Sequence, residues 1–308
     1  MINLIINERS SSGNGKLVGQ KVREILEEKN VEYNAYVTES VGHATRITKD
    51  LCEQNEGEVT IVVVGGDGTI NEVVNGITDF DKVRLGIIPT GSGNDFARGM
   101  GLLKGTTSEH LERILKSEGD FRIDLGKVTY GEEKKTKLFA ISSGVGMDAL
   151  VCKKVATSNL KKTLNKFHLG KFTYIIITVQ SLFTMKCADS KCRFEGKDDE
   201  KYKKLVFLAA MNFYAEGGGV PMAPKATATD GKLSICSCFG VSKLGAFIRL
   251  PLLMMKKHEN LKCFNVFDTE NGEIILSKPM ALHTDGEYLE DVKRVKYESI
   301  RGILRFIM

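Results

Sequence analysis

Hydrophobic positions along the first 125 residues switch between two patterns. Short apolar runs at Leu4 to Ile6, Tyr33 to Val37, Val59 to Val64 and Leu85 to Ile88 predict strands. Between them, Leu17 to Glu28, His43 to Glu53 and Ile70 to Gly76 predict helices. Strand and helix in alternation imply a parallel sheet covered by helices on both sides. Beyond Asp124 the texture changes to β-rich segments with glycine-containing turns: Leu138 to Ser142, Leu205 to Met211, Leu233 to Phe239 and Ile274 to Leu276. Lys127 to Lys137 is charged and reads as a hairpin turn or linker, and Ile300 to Ile307 reads as a strand returning to the first part. The expected fold class is α/β in two domains. Residues 1–126 form a parallel α/β domain to which 291–308 returns, and 127–290 form a mainly antiparallel, β-sandwich-like domain.

Two glycine-rich turns follow successive strands of the first domain. The first is Gly65-Gly66-Asp67-Gly68-Thr69, and the second runs from Pro89 through Thr90-Gly91-Ser92-Gly93-Asn94-Asp95 to Phe96. Glycines leave no Cβ between backbone and ligand, and a helix opening after such a turn offers its first N–H groups to an anion. Thr69 is expected to cap that helix. A carboxylate at Asp67 would repel phosphate unless a divalent cation lay between them, so the motif implies Mg²⁺ held through water. The alternative is a tight strand-to-helix turn whose Asp only caps the helix. Both turns fall at the C-terminal ends of strands, where open α/β sheets bind ligands. Gly15-Lys16 is followed by Leu17, which departs from a Walker A loop, and there is no GxGxxG fingerprint.

Read together, Gly65 to Gly76 and Gly86 to Arg98 resemble the two signature blocks of the diacylglycerol-kinase catalytic-domain superfamily, in particular its soluble bacterial lipid kinases, with sphingosine kinases as relatives. Asn7 to Lys16 resembles the family's nucleotide loop, and Asp285-Gly286-Glu287 its C-terminal Asp-Gly-Glu. The resemblance runs almost the whole length of the chain. It implies an ATP- and Mg²⁺-dependent kinase whose nucleotide site includes Asn7, Thr38, Gly65, Gly66, Asp67, Gly68, Thr69, Gly91, Ser92 and Asn94. Asp285 is then the expected catalytic base, with Glu287 assisting nucleotide or metal; a bare Asp-Gly is otherwise an ordinary turn. Asp67, Asp95 and Asp124 are implied as members of one cation network. Asp230, with the carbonyls of Thr227 and Lys232, is implied as a second, structural magnesium site, the alternative being a simple Asp-Gly turn. The segment Asn7-Glu8-Arg9-Ser10-Ser11-Ser12-Gly13 departs from the family loop: proline is absent, and Ser-Gly arrives two residues later than usual.

Composition adds limits. At 308 residues and 42% apolar, the chain can bury a core and has room for two domains. No stretch has the length of a membrane span, and the first residues lack the basic region of a signal peptide, so a cytoplasmic protein is expected. Seven cysteines without a CxxC pair suit a reducing compartment and buried thiols; Cys236-Ser237-Cys238 would alternate on a strand. From Ala149 to Ala188 there is no acidic residue, while Lys153, Lys154, Lys161, Lys162, Lys166, Lys171 and Lys186 interleave with Leu160, Leu164, Phe167, Leu169 and Phe172. That stretch, Lys153 to Lys186, is expected to lie on an anionic membrane surface, peripherally, on the inner face. His168 reads as part of this basic face, Phe172 to Met185 as a core helix, and Leu244 to Met255 as a second surface or acyl-site element. The expected reaction is phosphorylation of a lipid hydroxyl, diacylglycerol giving phosphatidate. A sphingoid-base kinase, an NAD kinase and a non-catalytic nucleotide-responsive regulator are the alternatives. No nucleic-acid partner is expected, and a homodimer is left open.

Overall fold

The computed structural model describes residues 1–157 and 170–308. Its N-terminal part is a parallel sheet in the order β2 (Tyr33–Val37), β1 (Ile2–Ile6), β3 (Val59–Gly65), β4 (Val83–Pro89). Four helices connect or follow these strands: α1 (Asn14–Glu28), α2 (His43–Gln54), α3 (Asp67–Gly76) and the short α4 (Asp95–Gly99). A further helix, α5 (Thr107–Lys116), opens with a capping box in which Thr106 and Glu109 exchange side chain-to-backbone hydrogen bonds. Strands β1 and β3 are buried almost end to end because helices cover both faces. Ile5, Ile61 and Val63 pack into one core, and Leu4, Ile6, Val62 and Val64 into the opposite one.

β5 (Phe121–Tyr130) and β6 (Lys135–Phe139) form the hairpin expected between Lys127 and Lys137. Then follow β7 (Ser142–Gly146), α6 (Met147–Thr157), α7 (Gly170–Thr184), β8 (Ala188–Phe194), β9 (Glu200–Leu205), β10 (Phe207–Met211), β11 (Leu233–Cys238), α8 (Lys243–Met254), β12 (Phe264–Thr269), β13 (Asn271–Thr284) and β14 (Glu287–Phe306). All pairings among β5 to β14 are antiparallel. Only the last two residues of β14, Arg305 and Phe306, join the parallel sheet, beside Arg84 and Leu85 of β4. That junction is reinforced by ion pairs: Asp120 accepts from Arg84 and Arg305 at 2.6 Å each, and Arg305 also reaches Glu58.

The structure corrects several details. α3 begins at Asp67 rather than Ile70, so Gly66 occupies the cap position and Thr69 lies inside the first turn without capping it. The expected single strand from Leu138 to Ser142 is broken, because the N–H groups of Ala140 and Ile141 turn toward Asp285 and leave the ladder. The expected burial of Cys236 and Cys238 holds, since β11 is covered on both faces. Among the described side chains, Ile177 and Leu182 of α7 and Met185 just after it are buried, Leu182 and Met185 in the main core, but Ile176 and Phe183 are exposed, so the expected core helix buries one face only. Lys161, Lys162, Lys166, His168 and the apolar residues between them lie outside the described residues. Lys153 is drawn to Asp291 at 3.0 Å and over the ring of Tyr288, and Lys154 donates to Thr184. No helix of the described residues is long and apolar enough to cross a membrane.

Candidate active site

Parallel register aligns the ends of the first strands. Ile6 pairs with both Val37 and Val64, and Gly65 pairs with Pro89, so Asn7, Thr38, Gly65 and Thr90 emerge along one edge. Asn7 donates to the hydroxyl of Thr69 at 3.0 Å, and Ser10 and Thr90 share a 2.6 Å hydrogen bond. These contacts tie the loop after β1 to the two glycine-rich turns.

The two glycine turns touch backbone to backbone. A Cβ on Gly66 would lie 2.9 Å from Gly91 Cα, and one on Gly91 would lie 2.8 Å from Gly66 Cα and 2.6 Å from Asn94 Oδ1. Only bare backbone allows this approach. Among the described residues, the N–H groups of Gly91, Ser92, Gly93 and Asn94 donate to no protein atom, nor do those of Asp67 and Gly68 at the start of α3, whereas Thr69 and Ile70 N–H donate to Gly66 C=O at 3.0 and 3.1 Å. Asn94 sits in the left-handed region at φ 51°, and its Oδ1 is buried without a partner.

Asp67 spans the turns: Oδ2 accepts Asp95 N–H at 3.0 Å and Oδ1 accepts Phe96 N–H at 3.1 Å. Each oxygen keeps a lone pair. Burial pushes Asp67 up to about 6, against the pull of those two N–H groups, and Asp95 and Asp285 push it further. Asp95 accepts from Arg98 Nε at 3.1 Å and from Gly218 N–H at 2.6 Å, so it does not act as a helix cap. A Cβ on Gly93 would lie 3.3 Å from Asp67 Oδ2 and 3.7 Å from Asp95 Oδ2, which places both carboxylates around one small space. Two carboxylates beside unpartnered N–H groups fit a hydrated divalent cation next to a polyphosphate.

Asp285 lies at the same junction in a different state. Its Oδ1 accepts Ile141 and Ser142 N–H at 2.8 and 3.0 Å, and its Oδ2 accepts Ala140 N–H at 2.8 Å and Asn71 Nδ2 at 2.7 Å. Burial pushes its carboxyl up while these four donors pull it down, burial prevailing. Glu287 pairs with Lys137 at 3.0 Å, and its Oε1 lies 3.7 Å from where a Cβ on Gly68 would be, so it stands over the start of α3.

Asp124 is not brought to Asp67. Its two oxygens accept Gly302 and Gly231 N–H at 2.6 Å each, and it fastens β5 to two glycine turns. Asp230 is exposed; its Oδ1 accepts Lys232 N–H at 2.9 Å and Thr227 bonds Thr229, so the turn closes on its own hydrogen bonds. Sequence reasoning passed over Asn71 and Asn75, which sit one helical turn apart on α3: Asn75 exchanges hydrogen bonds with both Leu138 C=O and N–H, and Asn71 reaches Asp285. Their i, i+4 spacing was the available signal. It also passed over Asp148, Glu216 and His283, whose ligating atoms all lie within 4.8 Å of one another. No spacing rule joins three residues from three separate elements.

Comparison with known proteins agrees with this geometry. Residues 1–128 match the diacylglycerol kinase catalytic domain, and residues 141–307 match the YegS C-terminal NAD kinase beta sandwich-like domain. The chain therefore belongs to the diacylglycerol kinase family of lipid kinases, in the two-part form that joins these domains, and it is a kinase. It is 27% identical over 287 residues to the Bacillus subtilis (strain 168) protein named "Putative lipid kinase YtlR", covering 92% of each chain. It is 26% identical over 270 residues to the "Diacylglycerol kinase" of the same organism, covering 87% of this chain and 83% of that one. Its fold matches the crystal structure titled "a putative diacylglycerol kinase from Bacillus anthracis str. Sterne" with a TM-score of 0.75 at 23% identity, over 99% and 96% of the two chains.

Proposed function

We propose that this kinase transfers the γ-phosphoryl group of ATP to a hydroxyl of a membrane lipid, with diacylglycerol the acceptor and phosphatidate the product. The observation that carries the nucleotide half is the meeting of two bare glycine turns, with Asp67 and Asp95 facing one space at Gly93. In this reading residues 1–126 with the returning 291–308 hold the nucleotide and 127–290 face the lipid. The free N–H groups of 91–94 and of Asp67 and Gly68 cradle the phosphates. Asp67 and Asp95 hold Mg²⁺ through water, and when bound the cation offsets phosphate charge during transfer. Asn7 and Thr38 border the nucleoside end, and Glu287 stands over the phosphate cradle. A second cation at the 227–232 turn has no unpartnered buried group to support it, and no step depends on it.

Membrane association is part of the proposal. α7 and α8 expose Ile176, Phe183, Leu244, Phe247, Ile248, Met254 and Met255, with the rings of Phe183 and Phe247 6.0 Å apart. From Lys243 to Lys257 the segment contains Arg249 and Lys256 but no acid, and Lys186 is exposed beside it. An apolar patch rimmed by cations suits an anionic bilayer, from which the acceptor is drawn.

The test is transfer of labelled γ-phosphate from Mg-ATP to diacylglycerol, monoacylglycerol, ceramide, sphingosine and NAD in mixed micelles. Labelled phosphatidate is expected. Label in another lane would replace the acceptor, and no label in any lane would sink the reading.

A further inference from the structure

The loop between β10 and β11 reaches across to the proposed cation site. Gly217, Gly218 and Gly219 follow one another with φ of 63°, 87° and 105°, a left-handed run that suits glycine alone among ordinary residues. Glu216 and Val220 close the turn, each giving its N–H to the other's C=O, at 3.1 and 2.8 Å. The turn rests on Asp95 and on its partner Arg98. Gly218 N–H donates to Asp95 Oδ2 at 2.6 Å, and a Cβ on Gly219 would lie 3.1 Å from Cζ of Arg98, whose Nε donates to Asp95 Oδ1 at 3.1 Å. Oδ2 is also the oxygen that borders the small space shared with Asp67, and Gly218 Cα lies at the edge of that space, 3.7 Å from where a Cβ on Gly93 would be. With a donor on each oxygen, the plane of the Asp95 carboxylate is fixed.

Three glycines carry no side chain to hold them in place and lose the most backbone freedom on folding, so the turn needs an anchor. Glu216 supplies it. Its Oε2 accepts the Ser142 hydroxyl at 2.5 Å, the one side-chain hydrogen bond it makes among the described residues. His283 Nε2 stands 3.9 Å from the same oxygen, beyond a hydrogen bond, and lies 3.2 Å from Asp148 Oδ2 instead. Ser142, the first residue of β7, gives its own N–H to Asp285 Oδ1 at 3.0 Å, and its C=O accepts Asp285 N–H at 2.8 Å. From Asp285 to Ser142, from Ser142 to Glu216, two residues along the chain to Gly218, and from Gly218 to Asp95, the connection is unbroken. It joins the β-rich half to the cation side of the nucleotide half.

We propose that Glu216 is a positioning residue for the cation: by anchoring the 217–219 turn to Ser142 it aims Asp95, so that the hold on Mg²⁺ in the nucleotide half depends on the Ser142 segment of the lipid-facing half. It rests on the reading above that Asp67 and Asp95 hold the cation beside ATP. Glu216 is asked only to accept one hydroxyl; it touches no substrate and takes no proton, and the part that Asp285 plays in transfer is untouched. The consequence is a linkage, in which the cation tightens nucleotide binding only as far as Asp95 is held in place.

The experiment titrates a non-hydrolysable ATP analogue, adenylyl imidodiphosphate, into the full chain by calorimetry with and without Mn²⁺ as the probe cation. Wild type, Glu216→Ala, Glu216→Gln and Ser142→Ala are compared, with melting temperature alongside. The quantity read is the factor by which the cation tightens the analogue. Glu216→Ala and Ser142→Ala are expected to cut that factor about tenfold, the scale of one hydrogen bond to a charged group, while the metal-free analogue binds as in wild type. Glu216→Gln keeps a carbonyl oxygen for the Ser142 hydroxyl and should keep the wild-type factor. On Mg-ATP and micellar diacylglycerol, the two alanine variants should need about tenfold more Mg²⁺ for half-maximal turnover, with the lipid KM unchanged. A folded alanine variant that keeps the full factor overturns the proposal. So does a Glu216→Gln that loses as much as Glu216→Ala, because the charge and not the anchor would then matter. Equal weakening of the metal-free analogue also overturns it, as the mark of general loosening. If Glu216→Ala does not fold, Ser142→Ala decides by the same factor. Wild type whose analogue binding gains nothing from Mn²⁺ overturns the cation reading and takes this proposal with it, a result distinct from a wild-type gain that the variants retain.

Discussion

Asp67 and Asp285 are both acidic residues of glycine turns, yet their surroundings differ in kind. Asp67 accepts two hydrogen bonds and sits beside backbone N–H groups that have no protein partner. Asp285 accepts four, and every donor around it is used. The N–H groups beside Asp67 are on partly exposed residues and are open to a ligand, and next to them Asn94 Oδ1 is buried without a partner, which costs free energy. On this contrast the GGDG turn is the one with donors still free for a ligand, while the Asp285 carboxylate also joins the α/β half to the β-rich half through Asn71.

Replacing each carboxylate by its amide separates the two roles most sharply. Asp67→Asn should lower kcat/KM by roughly 10²–10³-fold or more, on the scale of losing a preorganised electrostatic contact. Its melting temperature should fall less than that of Asp285→Asn, because only one backbone N–H is left facing NH₂ and burial already disfavours the charge there. Asp285→Asn leaves two donors facing NH₂ and should cost about 3–5 kcal/mol of stability. A thermal melt beside a turnover assay decides both; equal loss of rate with no loss of stability in Asp285→Asn would erase the contrast.

The pH dependence of stability tests the neighbouring cluster. His283 is raised to about 9: burial lowers it, but the hydrogen bond and charge of Asp148, then the charges of Glu216 and Asp285, raise it further. The folded protein thus holds this proton more tightly than the unfolded chain, whose histidine titrates near 6.5. Its stabilisation is full below about 6.5 and is lost as pH rises through 9. Glu216, raised to about 7, also loses stability with rising pH, but between 4.5 and 7. Charging the ring puts a proton on Nδ1, which in the structure faces Gly286 N–H at 3.3 Å, so that contact must give way. Melting temperature should then fall from pH 7 to 9, and His283→Gln should flatten that slope; a wild-type melting temperature flat over this range would leave the ring neutral, as the Gly286 contact has it.

Smaller effects probe the joints. Gly91→Ala forces a Cβ to within 2.8 Å of Gly66 Cα and should raise the KM for ATP about tenfold by parting the two turns. Unchanged KM would mean that the turns do not act as one cradle. Asn75→Ala removes the exchange with Leu138 and should cost about 1–2 kcal/mol, read in denaturant titration, with ATP binding unaltered.

Much of this was legible in the chain. The alternation of apolar runs and helical spacing placed β1 to β4 within a residue or two; β1, β3 and β4 are buried on both faces and have few alternatives, while the edge strand β2 is largely exposed. The glycines at 65, 66, 68, 91 and 93 pointed to close backbone approach, and Gly66 and Gly91 do touch. Other features were not legible. Thr69 looked like a cap, but the helix had already begun at Asp67 and its hydroxyl serves Asn7. Asp124 looked like a member of the Asp67 group, but Gly231 and Gly302, far along the chain, claim its oxygens. Glu216 carried no motif at all.

The sequence by itself determined the local elements, the order of the two halves and the turns that leave backbone bare, because these follow from periodicity and from the missing Cβ of glycine. The tertiary structure alone decided which carboxylates are free and which are satisfied. That depends on donors brought from distant segments, as Asn71, Ala140, Ile141 and Ser142 are brought to Asp285. A residue type states what a side chain can accept; only the fold decides what it has already been given.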